Sequence, residues 1–353
     1  MILRRAAPIL ALCAVATALT VAQQEQPRAP LGPWLRSRLG MTVEQVAAVR
    51  LGRPVAVALA TPVDREIQVG GAVHVRAAAR RVADALQDVE RLESGEGFIR
   101  TRRLSDPPRL DDFKDLDLPA QDVAALRQCR PGDCDVKLGT GAFDRLARFD
   151  WKAPDAIARI DDLARQLSLD YIDAYRRGGN AELAVYRDSD RPQFIAAEFA
   201  DMISRAGVWP DVLGPLNQYL LGYPAVSLPP GAHDFFYWSL AEFGLKPVIR
   251  LNHVVVFPTG LAAGLQYVVA VKQLYASHYF HTALEIRAVV ADDGPEPTGS
   301  TIVILNMARS DGLTGLFGGL VKSKARSGSQ RGLEKALAAI KGMAETGGSA
   351  TTR

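Results

Sequence analysis

"LQYVVAVKQLYASHYFHTALEIRAVV", residues 265–290, consists of two runs rich in β-branched and aromatic residues on either side of Ser277-His278-Tyr279. Such composition favours strands, and a three-residue break between two runs favours a hairpin. A similar run precedes it, "KPVIRLNHVVVFP" (246–258), separated by Pro258-Thr259-Gly260. Another follows, "STIVILNMARS" (300–310), after the turn-rich "DDGPEPTGS". Four runs joined by short breaks predict an antiparallel sheet, because parallel neighbours need long crossovers.

Outward from this core the period changes. "SQRGLEKALAAIKGMAE" (329–345) places Leu333, Ala336, Leu337, Ile340 and Met343 at helical spacing, which predicts a long amphipathic C-terminal helix. Upstream, Pro54 to Ala60 reads as a short strand. Val73 and Val75 alternate with His74 and Arg76, a strand pattern; Val82, Leu86, Val89 and Leu92 then recur at helical spacing. "GEGFIRTRRLSDPP" suggests a second strand ending at Pro107-Pro108. Between Asp111 and Gly231 the pattern is mostly helical, with Ile157, Ile160, Leu163 and Leu167 in one stripe after Pro154. Residues 42–50 read as a short helix capped by Thr42. The fold class is therefore α+β. The expected divisions are a signal peptide (1–22), an N-terminal arm (23–53), a first core part (54–110), a helical insertion (111–233), a sheet with its final helix (234–345) and a tail (346–353).

This order of elements resembles the helix-grip fold of the START-like superfamily, over Glu66 to Leu104 and Asp234 to Glu345. The resemblance implies a curved antiparallel sheet wrapped around the C-terminal helix, with an apolar cavity between them. It also implies a carrier of lipids, sterols or other hydrophobic small molecules. A cyclase- or hydrolase-type enzyme on the same fold is the alternative, since fold does not decide function. A third class is an interaction protein that uses the helical insertion. The departure from the family pattern is that insertion, either a lid or a small helical domain.

"QLYASHYFHTALEI" (273–286) holds two of the chain's five histidines, His278 and His281, with His253 one strand upstream. A zinc site needs three or four converging ligands. His278 and His281 are three apart, so on an uninterrupted strand they face opposite sides, whereas His281 and Glu285 share one. The preferred reading is a cavity wall: His253, Tyr267, Tyr275, His278, Tyr279, Phe280 and His281 on the sheet, roofed by Leu333, Leu337 and Ile340. Metal or acid–base chemistry and a plain surface turn are the other readings. No cofactor or metal is expected, because no phosphate loop, nucleophile elbow or calcium loop is present. "GLFGGL" lacks the Lys-Ser/Thr ending. Asp111, Asp112, Asp115 and Asp117 lack the spacing of an EF-hand and read as a solvated acidic loop. Leu316 and Phe317, followed by Lys322, Lys324 and Arg326, suit contact with an anionic membrane surface, or else a solvated basic turn.

The N-terminus "MILRRAAPILALCAVATALTVAQQ" has a basic n-region, an apolar h-region and small residues before Gln23, the pattern of a secretory signal peptide. Cleavage removes Cys13 and leaves Cys129 and Cys134 around the Pro131-Gly132 turn. An even pair about a turn in an oxidising compartment predicts a disulfide, hence a periplasmic or secreted protein. The net charge of +3 is far below that of dedicated nucleic-acid binders, so no nucleic-acid partner is expected.

Overall fold

The computed structural model describes residues 31–205, 210–242, 246–259, 264–292, 299–314 and 318–346. The residues read as a signal peptide, Leu316, Phe317 and the tail from 347 onward lie outside the described residues. The strands are β1 (Val55–Leu59), β2 (Glu66–Val75), β3 (Phe98–Arg103), β4 (Val185–Tyr186), β5 (Gln193–Phe194), β6 (His233–Ala241), β7 (Val248–Pro258), β8 (Leu265–Ala276), β9 (Phe280–Ala291) and β10 (Ser300–Ser310). Eight of them make one sheet in the order β1-β2-β10-β9-β8-β7-β6-β3, with every neighbouring pair antiparallel. The consecutive hairpins β6 to β10 curl back so that the last strand pairs with β2, and β3 closes the other edge on β6. The four expected runs are β7 to β10. Strand β6 was not among them because "HDFFYWSLA" is buried almost without interruption, which erases the alternation.

The helices are α1 (Leu31–Leu39), α2 (Val43–Arg50), α3 (Ala79–Gln87), α4 (Val89–Leu92), α5 (Ala120–Leu126), α6 (Thr140–Leu146), α7 (Ala156–Gly178), α8 (Ile195–Ser204), α9 (Pro210–Gly222) and α10 (Gly318–Thr346). Thr42 caps α2 through a reciprocal pair of bonds with Gln45. Helices α3, α4 and α10 cover one sheet face, packing on Val73, Val254, Val256, Val269, Ile302 and Ile304. The opposite face is covered twice over. Helices α1, α2, α8 and α9 pack on the β8–β10 side, through Leu35, Leu39, Val49, Phe199, Met202 and Leu216. Helix α7 and the turn around Phe113 pack on the β6–β7 side, over Phe236, Trp238, Ile249 and Leu251. Burial on both faces is why these strands read as continuous apolar runs.

Three expectations change here. Residues 31–53 are not a loose arm: α1 and α2 insert Leu35, Leu39, Val46 and Val49 into the core. Part of the helical insertion is a layer on the sheet, through Ile172, Tyr175, Phe199 and Met202, while Val123, Leu126, Val136, Leu146 and Ile160 form a cluster of their own. Of its predicted stripe Ile160 is buried, but Ile157 faces solvent. On α10 the buried face is Leu333, Leu337, Ile340 and Ala344, whereas Ala336 is exposed. The α10 axis runs so close to β2 that a Cβ on Gly71 would lie 2.9 Å from a Leu333 methyl and 3.0 Å from a Leu337 methyl. Helix α10 also closes the β1 edge: the Ala56 amide donates to Glu334 Oε1 (3.3 Å), and Gln330 Nε2 donates to the Ala56 carbonyl (3.5 Å). The acidic residues 111–117 serve mainly as local partners: Asp112 accepts from Ser105 and Arg109, Asp115 pairs with Arg102, and Asp117 pairs with Arg165.

Candidate functional site

The α10 face of the sheet is floored by valine and isoleucine and ends in a polar cluster. Under α3 and α4, Arg250 donates to Glu93 Oε2 (2.8 Å) and to Ser239 Oγ (2.8 Å), and Tyr237 donates to Glu93 Oε1 (2.9 Å). Arg287 pairs with Glu285 and donates to the Leu86 carbonyl. Burial pushes the Tyr237 phenol well above its usual range, with the Glu93 carboxylate adding to the effect. Helix α10 grips this face unevenly. Its second half buries Leu333, Leu337, Ile340 and Ala344. Its first half buries only Gly318, with Ala325 partly buried against the same core. Arg326 Nε is buried there without a hydrogen-bond partner among the described residues.

His253, His278 and His281 lie on the other face. His253 Nε2 donates to Asp234 Oδ2 (2.8 Å), and Nδ1 accepts from the Tyr175 hydroxyl (3.2 Å); this tautomer satisfies both contacts. Lys272 Nζ donates to Tyr175 Oη (3.0 Å) and to Asn180 Oδ1, and lies over the Tyr175 and Phe199 rings. Burial holds the Lys272 ammonium well below its usual range. Burial likewise lowers His253, against the opposing pull of Asp234. This chain of groups pins α7 to the middle of the sheet.

His278 and His281 pin other parts of the insertion. His278 Nε2 meets Asp122 Oδ1 of α5 at 2.9 Å, both residues being buried. His281 Nδ1 meets Glu198 Oε2 of α8 at 3.2 Å, and Nε2 meets Asp311 Oδ1 at 2.5 Å. Asp311 also pairs with Lys137, which in turn contacts Asp188 and Gln193. Burial pushes the His281 imidazole down, but the hydrogen bonds and charges of Asp311 and Glu198 outweigh it, so the net shift is upward. Such a group stabilises the fold fully below its unfolded pKa of about 6.5 and loses that effect as pH rises through the higher folded value. His281→Gln should therefore cost about 3 kcal/mol near pH 5.5, where both carboxylates are ionised. The gap between variant and wild type should narrow above pH 8. Urea titrations at the two pH values measure it, and a pH-independent gap would show that His281 does not act through charge.

The structure thus divides the predicted cavity wall. Tyr267, Leu333, Leu337 and Ile340 belong to the α10 face. His253, Tyr275, His278 and His281 turn toward the insertion. Two bulges defeat the parity rule. Pairing shifts between Leu251 and Asn252, which sends Tyr275 toward Tyr171 and Tyr186. It shifts again between Arg309 and Ser310, which frees His281 to reach α8 while Glu285 stays on the Arg287 side. Tyr279 occupies a left-handed turn position (φ 57°), and its hydroxyl accepts from the Lys246 amide. Phe280, next to it, is partly buried. Lys322 donates to the Asp64 carbonyl (2.8 Å), and Lys324 is exposed. Among the described residues no group of three His, Cys, Asp or Glu side chains is placed to hold a metal. Cys129 and Cys134 form a disulfide with Cα atoms 4.5 Å apart. No described helix is long and apolar enough to cross a membrane.

The residues the sequence reading passed over are the charges inside strands: Glu66, Arg250, Lys272, Arg287 and Arg309. Their signal was present, since an ionisable residue in an otherwise apolar strand must find a buried partner. Those partners lie far away in sequence. Compared with known proteins, the chain matches no family model and no curated protein.

Proposed function

We propose that the chain is an exported protein of START-like, helix-grip type that holds a hydrophobic small molecule or lipid between α10 and the sheet. The connectivity supports this: β2, the helices α3 and α4, β3, then the hairpins β6–β10 returning to β2, with α10 across one face. The observation that carries the reading is the uneven grip of α10. Its second half is clamped by Leu333, Leu337 and Ile340, while its first half rests on the core through the partly buried Ala325. Lifting the first half about the clamped half exposes a floor of Ile67, Val69, Val254 and Val271 to an apolar ligand. The Cys129–Cys134 disulfide and the apolar N-terminal stretch support export.

The test is native mass spectrometry with lipid extraction on the purified full chain, followed by titration with diphenylhexatriene as an apolar probe. A co-purified hydrophobic compound is expected, and Ala325→Trp should weaken probe binding at least about tenfold while the fold persists, since the indole fills the space under α10. A bare polypeptide mass together with no probe binding would overturn the proposal.

A further inference from the structure

The outward side of the same half-helix carries a different signal. Leu320 and Val321 are 61% and 42% exposed, adjacent large apolar residues at the start of α10. Lys324 and Arg331 follow at four and eleven residues from Leu320, so the three fall within one narrow stripe of the helix. Both cations are exposed and have no hydrogen-bond or ion-pair partner among the described residues. From Gly318 to Leu333 there are basic residues at Lys322, Lys324, Arg326 and Arg331 and no acidic one. The carboxylates flanking the stripe, Asp64 and Glu96, already face Lys322 and Lys335.

We propose that this stripe is a docking surface for an anionic lipid bilayer, with Leu320 and Val321 entering the acyl boundary and Lys324 and Arg331 facing the headgroups. Two features favour a bilayer over an acidic protein or a nucleic acid. The apolar pair sits at the helix end, beyond the cations, so it can go deeper than they do. The stripe from Leu320 to Arg331 is straight and about 16 Å long, which suits lying flat in an interface. Free cations near such a surface are each worth about a fivefold change in partitioning. The surface is on the side of α10 away from the sheet, so it stands whether or not a ligand binds beneath.

The test is co-sedimentation of the full chain with vesicles of phosphatidylcholine alone or with about one-third phosphatidylglycerol. Binding is expected only to the anionic vesicles, falling steeply as salt is raised because the interaction is screened. Lys324→Glu/Arg331→Glu should reduce it at least about twentyfold, from about fivefold per lost cation. Leu320→Ser/Val321→Ser should also reduce it, at unchanged charge. Arg148→Glu, an exposed position after α6, changes net charge by the same amount per residue and should leave binding nearly unchanged. Absence of binding to anionic vesicles, equal binding by the Lys324/Arg331 variant, or equal loss in Arg148→Glu would each overturn the proposal. Loss of probe binding in Ala325→Trp with vesicle binding intact separates the ligand site from this surface.

Discussion

Alanine at position 66 is expected to destabilise the protein by about 3 kcal/mol or more. Glu66 is fully buried at the start of β2. Its carboxylate accepts from Arg309 Nε (3.1 Å), Arg205 Nη2 (3.0 Å), Gln68 Nε2 (2.6 Å) and Thr61 Oγ1 (3.0 Å). Arg309 is itself buried, and its other partners, Asp201 and Glu198, lie on α8. Removing the carboxylate strips one anion from a site built around two guanidinium groups and leaves two neutral donors without their acceptor. Burial raises the Glu66 carboxyl, but the hydrogen bonds outweigh it and hold the group below its usual range. Its contribution is then complete above the unfolded value of about pH 4.3 and fades as pH falls through the folded one. Urea titration at pH 7 reads the cost as a lower midpoint at unchanged slope. A midpoint within error of wild type would show that the cluster does not join α8 to the sheet.

Leu337→Ala is the second large effect, an expected loss of about 2–5 kcal/mol. Leu337 is fully buried between α10 and β2, and Gly71 beneath it leaves no slack into which the helix can settle. Gly71→Ala alone should also destabilise, because the new methyl meets Leu333, Leu337 and the Val55 carbonyl, the last at 2.9 Å. Combined with Leu337→Ala, however, that methyl occupies part of the vacated space. The double variant should lose less than the sum of the singles, as contacting residues do. Strict additivity would mean that α10 does not pack on β2 at this point.

Much of this architecture was legible in the residues. The runs β7 to β10, the amphipathic spacing of α10 and the Thr42 cap are local signals, and local signals survive folding. Strand β6 was not legible, because both of its faces are buried and Phe235 to Trp238 shows no period. The histidines were recognised as a group but assigned to the wrong side. Side-chain direction at His281 and Tyr275 is set by bulges at Arg309/Ser310 and Leu251/Asn252, and a bulge leaves no mark on the two-residue period. Their partners, Glu198 and Asp311 for His281 and Asp122 for His278, come from distant segments, so no spacing rule reaches them. Helix α1 was read as part of a loose arm because "LGPWLRSRL" is rich in Arg, Gly and Pro. Only its contact with the sheet reveals that Leu35 and Leu39 are core.

The pairing of β2 with β10 joins the front of the core to its end, with Glu66 opposite Arg309 and Val75 opposite Ser300. Until β10 has been made, one flank of β2 has no strand to pair with, and neither has one flank of β9. A chain delivered from its N-terminus therefore carries one long apolar edge, that of β2, through most of its appearance, and can seal it only by a closure across more than two hundred residues. Such closures come late and set the pace of folding. The interval before closure is when strand-to-strand association between nascent copies competes most strongly with the native sheet.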